Sequence, residues 1–181
     1  MPCMNDHTSD IVLRDARRED ISAIVALVES AYRGDVSRQG WTTEADLLDG
    51  QRIAPEVLLA DIERMHSRIL LAHRAGVLLA CAHVAVQDGQ GYFGMFSVRP
   101  DQQGTGLGKL VLAEAERIVQ QDFAVSRMRM TVIDVRDELI AFYERRGYRR
   151  TGEKKPFPYG DARFGIPLRD DLRFEVLEKR L

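Results

Sequence analysis

The chain is 181 residues long, 45% hydrophobic and 30% charged, the balance of a soluble folded protein with enough apolar material for a core. Its 26 basic and 28 acidic residues leave a formal net charge of −2, which gives no global electrostatic case for binding nucleic acid. No apolar run approaches the ~18–20 residues of a membrane span, and the polar, acidic first ten residues lack a signal peptide's basic and apolar regions, so the expectation is a cytoplasmic protein.

Residues 1–10 read as a flexible polar leader and 11–181 as one domain. Residues 11–14 suggest a short first strand. Over residues 20–32, Ile21, Ile24, Val25, Val28 and Tyr32 recur on one helical face. A Gly- and polar-rich stretch, 34–40, leads to Thr43 and Asp46, whose spacing is that of a capping box and predicts a short helix there. Pro55 opens a further helix through residue 65. Residues 69–73, 76–86 and 91–98 are rich in aliphatic and aromatic side chains, are separated by turn signals, and read as an antiparallel meander. After Pro100 the period becomes helical, with Leu107, Leu110, Val111, Ala115 and Ile118 on one face. A strand at 128–133 follows, then a helix carrying Leu139, Ile140, Phe142 and Tyr143 and ending at Gly147, then strands at 148–152 and 174–177. The expected fold is mixed α/β, a central, mostly antiparallel twisted sheet flanked by helices.

The two cysteines cannot build a disulfide framework: Cys3 lies in the leader, and Cys81, within an apolar run, reads as a small hydrophobe of a buried strand. The four histidines, His7, His66, His73 and His83, show no metal-ligand spacing, so no metal site is expected.

The most informative segment joins the strand ending at Val98 to the helix after Pro100, and contains Gln103, Gly104, Thr105, Gly106, Leu107, Gly108 and Lys109. Three glycines free the backbone so that several N–H groups can point at one anion, and the helix dipole adds favourable potential. A dinucleotide loop wants GxGxxG, but the third position is Lys109; a P-loop wants Gly five residues before Gly108, where Gln103 stands, and Ser or Thr after Lys109, where Leu110 stands. The pattern that fits is Q/R-x-x-G-x-G/A, as Gln103-x-x-Gly106-x-Gly108.

Here the chain resembles the GCN5-related N-acetyltransferase (GNAT) superfamily. The likeness extends to the late run from Ala141 to Tyr148, with Tyr143 and Gly147-Tyr148, and to the order of elements over nearly the whole chain. It implies acetyl-CoA as acyl-donor co-substrate, lying between two strands that splay apart at 95–98 and 131–133. Backbone groups of Phe96, Ser97 and Val98 would pair with the pantetheine arm, a Val98 N–H would polarise the thioester carbonyl, and pyrophosphate would sit on the N–H groups from Gln103 to Lys109. Tyr143 would serve the leaving thiolate as acid or hydrogen-bond donor; spacing alone equally allows a tyrosine packed at the helix end with its hydroxyl in water.

The resemblance also places Trp41, Glu44 and Asp46 at the border of the acceptor site, with the two acids as candidate bases beside a water chain with no dedicated base. His83 reads as a satisfied core histidine. Arg136 stands where many relatives carry Asn, which leaves it to reach a cofactor phosphate, an acidic substrate or solvent. Arg145, Arg146, Arg149, Arg150, Lys154 and Lys155 form a basic cluster, either a contact for the 3′-phosphate of CoA or a solvated helix end. The long loop 156–167, with Phe157, Tyr159 and Phe164, would lie near the acceptor pocket. These readings converge on an acetyltransferase acting by direct transfer to the primary amine of a small molecule. The alternative is a non-catalytic acyl-CoA-binding module of the same fold. No nucleic acid or membrane partner is expected, and a homodimer stays open.

Overall fold

A computed structural model describes residues 9–181, so the predicted leader, with Cys3 and His7, lies outside the described residues except for Ser9 and Asp10. The elements run β1 (Val12–Asp15), α1 (Ile21–Tyr32), α2 (Gly34–Ser37), β2 (Leu48–Asp49), α3 (Pro55–Glu63), β3 (Ser67–Arg74), β4 (Val77–Gln87) and β5 (Gln90–Val98). They continue with α4 (Leu107–Arg117), β6 (Arg127–Ile133), α5 (Asp137–Glu144), β7 (Arg149–Pro156), β8 (Ile166–Pro167) and β9 (Arg173–Arg180).

Strands buried on both faces read as unbroken apolar runs, and β3 and β4 show why. Leu70 and Ala72 point to one side, where they pack with Leu107 and Val111 of α4 and Ile140 of α5. Ile69 and Leu71 point to the other, against Ile24 and Val28 of α1 and Leu58 of α3. The sheet is thus the middle layer between two pairs of helices. Its strand order is β1-β3-β4-β5-β6-β9-β7. The predicted meander is present, with β3, β4 and β5 antiparallel. Ala75-Gly76 and Asp88-Gly89, all four at positive φ, make the tight turns.

The sheet changes character after β5. Strand β6 lies parallel to it but pairs only at Gly91↔Met128 and Tyr92↔Arg129. On its other side β6 pairs with β9 throughout, from Arg127↔Arg180 to Ile133↔Phe174. β5 bends away at an extra residue, Met95 (φ 50°), between the pairs His83↔Gly94 and Cys81↔Ser97. The last strand, β9, inserts between β6 and β7.

Three expectations are corrected. The first strand starts one residue later than predicted, and a single-turn helix, α2, interrupts the stretch read as irregular. No helix starts at Thr43: its hydroxyl accepts from Ala45 N–H (3.1 Å) and contacts the Ser37 hydroxyl (2.6 Å), while Asp46 turns away to Arg38 (2.8 Å). One turn closes, with Leu47 and Leu48 N–H on the Glu44 carbonyl, before the chain becomes β2.

Gly91 sits where β5 and β6 still touch, and a Cβ there would lie 2.5 Å from Val119 Cγ1 and 2.8 Å from the Arg127 carbonyl oxygen. Gly91→Ala should therefore destabilise the fold by about 1–3 kcal/mol, lowering the thermal midpoint by roughly 2–12 °C. An unchanged midpoint would mean that this pair does not hold the two strands.

Candidate functional site

Where β5 and β6 part, a cleft of about 180 Å³ opens, walled by both strands, by Tyr143 of α5 and by Phe157 and Phe164 of the loop after β7. The parted strands leave backbone groups that need partners. Arg99 N–H donates to the Leu79 carbonyl (2.8 Å). In an antiparallel ladder this sets the alternation, so Ser97 and Arg99 direct their backbone groups to β4 while those of Val98 turn away from it. The Phe96 carbonyl accepts the Tyr32 hydroxyl, and the Val98 carbonyl accepts Gln103 Nε2 (3.1 Å). The Val98 N–H turns the same way, where Val98 lines a second cavity beside the cleft. Of the three residues expected to pair with a pantetheine arm, Ser97 is thus turned away, and two carbonyls are already satisfied.

Tyr143 lines the same cleft and packs edge-on against Phe93, Phe142 and Tyr148, with centroids 6.4, 5.3 and 5.9 Å away. Tyr148 is the anchor of this group: its N–H donates to the Tyr143 carbonyl (3.2 Å) and its hydroxyl to Glu116 (2.9 Å). The Tyr143 hydroxyl has no hydrogen-bond partner among the described residues. Burial pushes its pKa above the ordinary phenol range, with the neighbouring Tyr32 adding to the shift.

The glycine loop lies beside this cleft. Gly106 caps α4 in the left-handed region (φ 89°), a conformation that favours glycine. Intrahelical bonding begins with Leu110 N–H on the Gly106 carbonyl (3.1 Å), so the N–H groups of Leu107, Gly108 and Lys109 have no partner within the helix. Gly108 and Lys109 line a cavity of about 410 Å³, with Arg145 and Arg146 and, among the described residues, no acid. A Cβ at Gly104 or Gly106 would stand in open space, and one at Gly108 would crowd the Phe96 ring at 3.0 Å. This set fits a bound diphosphate: N–H groups, the positive end of a helix dipole and three cations. Phe96 and Leu139 line this cavity and the cleft alike, so the two are neighbouring parts of one path.

Not every predicted contact has a free side chain. Leu107 is buried in the core and offers only its backbone, and the Thr105 hydroxyl donates to the Gln102 carbonyl (2.7 Å). Gln103 is a brace: Oε1 accepts from Trp41 N–H (2.9 Å) and Thr42 N–H (3.3 Å), and Nε2 donates to Thr42 Oγ1 (2.8 Å). Arg146 lies over the Phe142 ring, 3.5 Å from its centroid, and donates to the Phe142 carbonyl. Arg149, Arg150, Lys154 and Lys155 run along exposed β7 instead, away from the loop.

The acceptor-side expectations change most. Trp41 packs on Phe142 (5.7 Å) and lines the glycine-loop cavity rather than the cleft. Asp46, its side chain 76% exposed, pairs with Arg38 and lines neither. Glu44 does line the cleft, but it is buried among guanidinium groups, 2.6 Å from Arg33, 2.9 Å from Arg136 and 3.7 Å from Arg52. Burial alone would raise its pKa; Arg136, Arg52 and Arg33 outweigh that and hold it below the ordinary carboxylate range. It is a fixed anion and a poor base. Arg136 is not solvated: it is 9% exposed and also donates to the Thr42 carbonyl. Tyr32, Arg33 and Arg52 escape a reading of sequence, because Tyr32 completes an apolar helix face and the arginines stand in no motif.

His83 is a core histidine, its Nε2 2.8 Å from Ser67 Oγ, and burial holds its pKa low. Burial pushes the Cys81 thiol up to about 12, which removes it as a nucleophile.

Against known proteins, a family model described as "Acetyltransferase (GNAT) family" matches residues 22–148. The search of curated proteins gives no match. Among solved structures, the ribosomal-protein-S18-alanine N-acetyltransferase of Escherichia coli superposes with a TM-score of 0.68 at 14% identity, over 94% of this chain and 93% of that one. The acetyltransferase yncA from Salmonella typhimurium, solved with its cofactor acetyl-CoA, gives 0.69 at 18% identity, over 96% and 95%. The paia N-acetyltransferase of Thermoplasma acidophilum, in complex with coenzyme A, gives 0.65 at 16%, over 94% and 99%. At these identities the likeness establishes the fold.

Glu44→Gln would leave the buried guanidiniums without their counter-charge, a change that costs about 3–5 kcal/mol. Because the folded pKa of Glu44 lies below its ordinary 4.5, its contribution is complete above that value and is lost as pH falls through the folded one. The thermal midpoints of wild type and variant should therefore differ most near neutrality and converge in acid. A gap that persists well below the folded value would contradict this.

Proposed function

The chain belongs to the acetyltransferase (GNAT) family, and from that premise we propose that it takes the acetyl group of acetyl-CoA to the primary amine of a small molecule. The observation that carries this reading is the parting of β5 and β6 after two residue pairs, directly beside the glycine loop. The relatives solved with acetyl-CoA and coenzyme A support the choice of donor.

Acetyl-CoA supplies, when bound, a thioester carbonyl open to attack by an amine. The Leu107, Gly108 and Lys109 N–H groups, with the Lys109 ammonium and the Arg145 and Arg146 guanidiniums, would hold its phosphates. Val98 N–H would donate to the carbonyl oxygen, where negative charge develops as the amine nitrogen attacks. Tyr143 stays protonated at neutral pH because its pKa is raised. It therefore serves the departing sulfur as hydrogen-bond donor, since full transfer from a phenol to a thiolate of pKa about 8.5 would be strongly uphill. The aromatic walls of the cleft keep water from competing. With Glu44 held as an anion by three arginines, the acceptor enters as its neutral amine and its second proton leaves to solvent. The cleft lies well below the ~300–1,000 Å³ of drug-sized pockets, which favours a compact acceptor over a polypeptide.

Acetyl-CoA at 100 times its dissociation constant should stabilise the fold by about 2.7 kcal/mol, raising the thermal midpoint by roughly 5–11 °C; ATP and NADH should not. Tyr143→Phe should lower kcat by about 100-fold while the dissociation constant of acetyl-CoA holds, and kcat/KM should climb with pH toward the pKa of the acceptor amine. No midpoint rise with acetyl-CoA would overturn the reading. Binding without turnover of any amine would leave an acyl-CoA-binding module.

A further inference from the structure

The charges in the cleft do not balance. Arg33, Arg52 and Arg136 converge on the single carboxylate of Glu44. The next acid, Glu29, accepts the backbone N–H groups of Arg52 and Ile53 (2.6 and 3.2 Å) and adds a second negative charge, which leaves three guanidiniums against two carboxylates. Asp61 and Arg64, behind Tyr92, pair with each other at 3.9 Å and cancel. A positive surplus therefore stands against one wall of an otherwise apolar cleft, and buried charge of one sign calls for a counter-ion.

The three guanidiniums are not equivalent. Arg33 and Arg136 donate directly to Glu44, at 2.6 and 2.9 Å, and Arg136 also donates to the Thr42 carbonyl. Arg52 makes no side-chain hydrogen bond among the described residues. It keeps 3.7 Å from Glu44, lies over the Tyr32 ring at 5.3 Å and is 31% exposed at the cleft. Its planar fork of donors is thus held in place by stacking and charge, with its hydrogen-bonding capacity unused. That is the arrangement a carboxylate takes up in bidentate fashion. Phe157, Phe164 and Phe174 line the same cleft and offer an uncharged surface.

We propose that the acceptor is a free amino acid with an uncharged, apolar side chain, its carboxylate on Arg52 and its side chain against the Phe157, Phe164 and Phe174 wall. This rests on the transfer reading above and narrows its substrate. Arg136 and Glu44 act as positioning residues that hold Arg52 at the cleft. A polycationic acceptor is disfavoured by the same surplus.

The test is a set of matched acceptors assayed for thiol release from acetyl-CoA: L-leucine, L-methionine and L-phenylalanine, the carboxamide of each, the amine left when each loses its carboxylate, and spermidine. Acetyl-CoA binding is followed separately by thermal shift. At least one free amino acid should show kcat/KM tenfold or more above its own amide and amine, and spermidine should trail them. Arg52→Gln should raise KM for that amino acid at least tenfold more than for its amide, and Arg52→Lys should recover part of the loss. Amides or amines used as well as the free acids would overturn the proposal, as would an Arg52→Gln effect equal on both, or acetyl-CoA binding with none of the amino acids acetylated. Failure of acetyl-CoA to bind would instead overturn the transfer reading beneath it.

Discussion

Everything at the site follows from two strands that stop hydrogen bonding to each other. Strands β5 and β6 share a ladder for two residue pairs and then separate, and an open ladder inside a sheet is costly unless its backbone groups find other partners. The chain supplies those partners from far away. Tyr32, at the end of α1, satisfies the Phe96 carbonyl, and Gln103, in the glycine loop, satisfies that of Val98. On the other side β6 is held by β9 along its whole length, so the opening does not propagate. Among the groups this leaves for a ligand is the Val98 N–H, on the side of the glycine-loop cavity. An opening built this way is rigid, because each edge is fixed by bonds that do not involve the other.

The segment from Trp41 to Arg52 closes the space between those edges and connects the two halves of the site. Its first residues are fixed by Gln103. Its middle carries Glu44, which draws Arg33 from the end of α1 and Arg136 from the start of α5. Its last part pairs with the loop after β7 through Leu48↔Pro167 and Asp49↔Ile166. An ion cluster this deep is poor evidence of net stability, since desolvation offsets much of the attraction. Its effect is positional. It holds three distant elements in one geometry and leaves Arg52 beside them with donors to spare.

The meander and the glycine loop are legible in the sequence because both are local: apolar runs bounded by turns, and three glycines at a helix start. The late tyrosine motif is legible for the same reason, since Tyr143 and Tyr148 meet within one helix end. The acceptor side is not. Glu44 and Arg136 are 92 residues apart, and nothing in either neighbourhood marks the pair. Glu44 was legible as a candidate acid, but its role was not, because a carboxylate's basicity depends on its neighbours. The capping-box spacing at Thr43 and Asp46 failed at its second member: Thr43 keeps a local bond to Ala45 N–H, while Asp46 pairs with Arg38.

One consequence concerns how the donor and acceptor halves bear on each other. Trp41 and Thr42 border the glycine-loop cavity, and Glu44 and Arg52 border the cleft, within a single short segment. The Thr42 carbonyl accepts from Arg136 while its N–H and hydroxyl engage Gln103, so one residue carries bonds to both halves. Gly40 is packed so closely on the Gln103 amide that a Cβ there would lie 2.5 Å from its oxygen. Through Thr42 the brace is tied to the backbone that leads to Glu44. Ordering of this segment from the glycine-loop side fixes the arginine wall on the other, so the geometry presented to an acceptor is set in part by residues that never touch it.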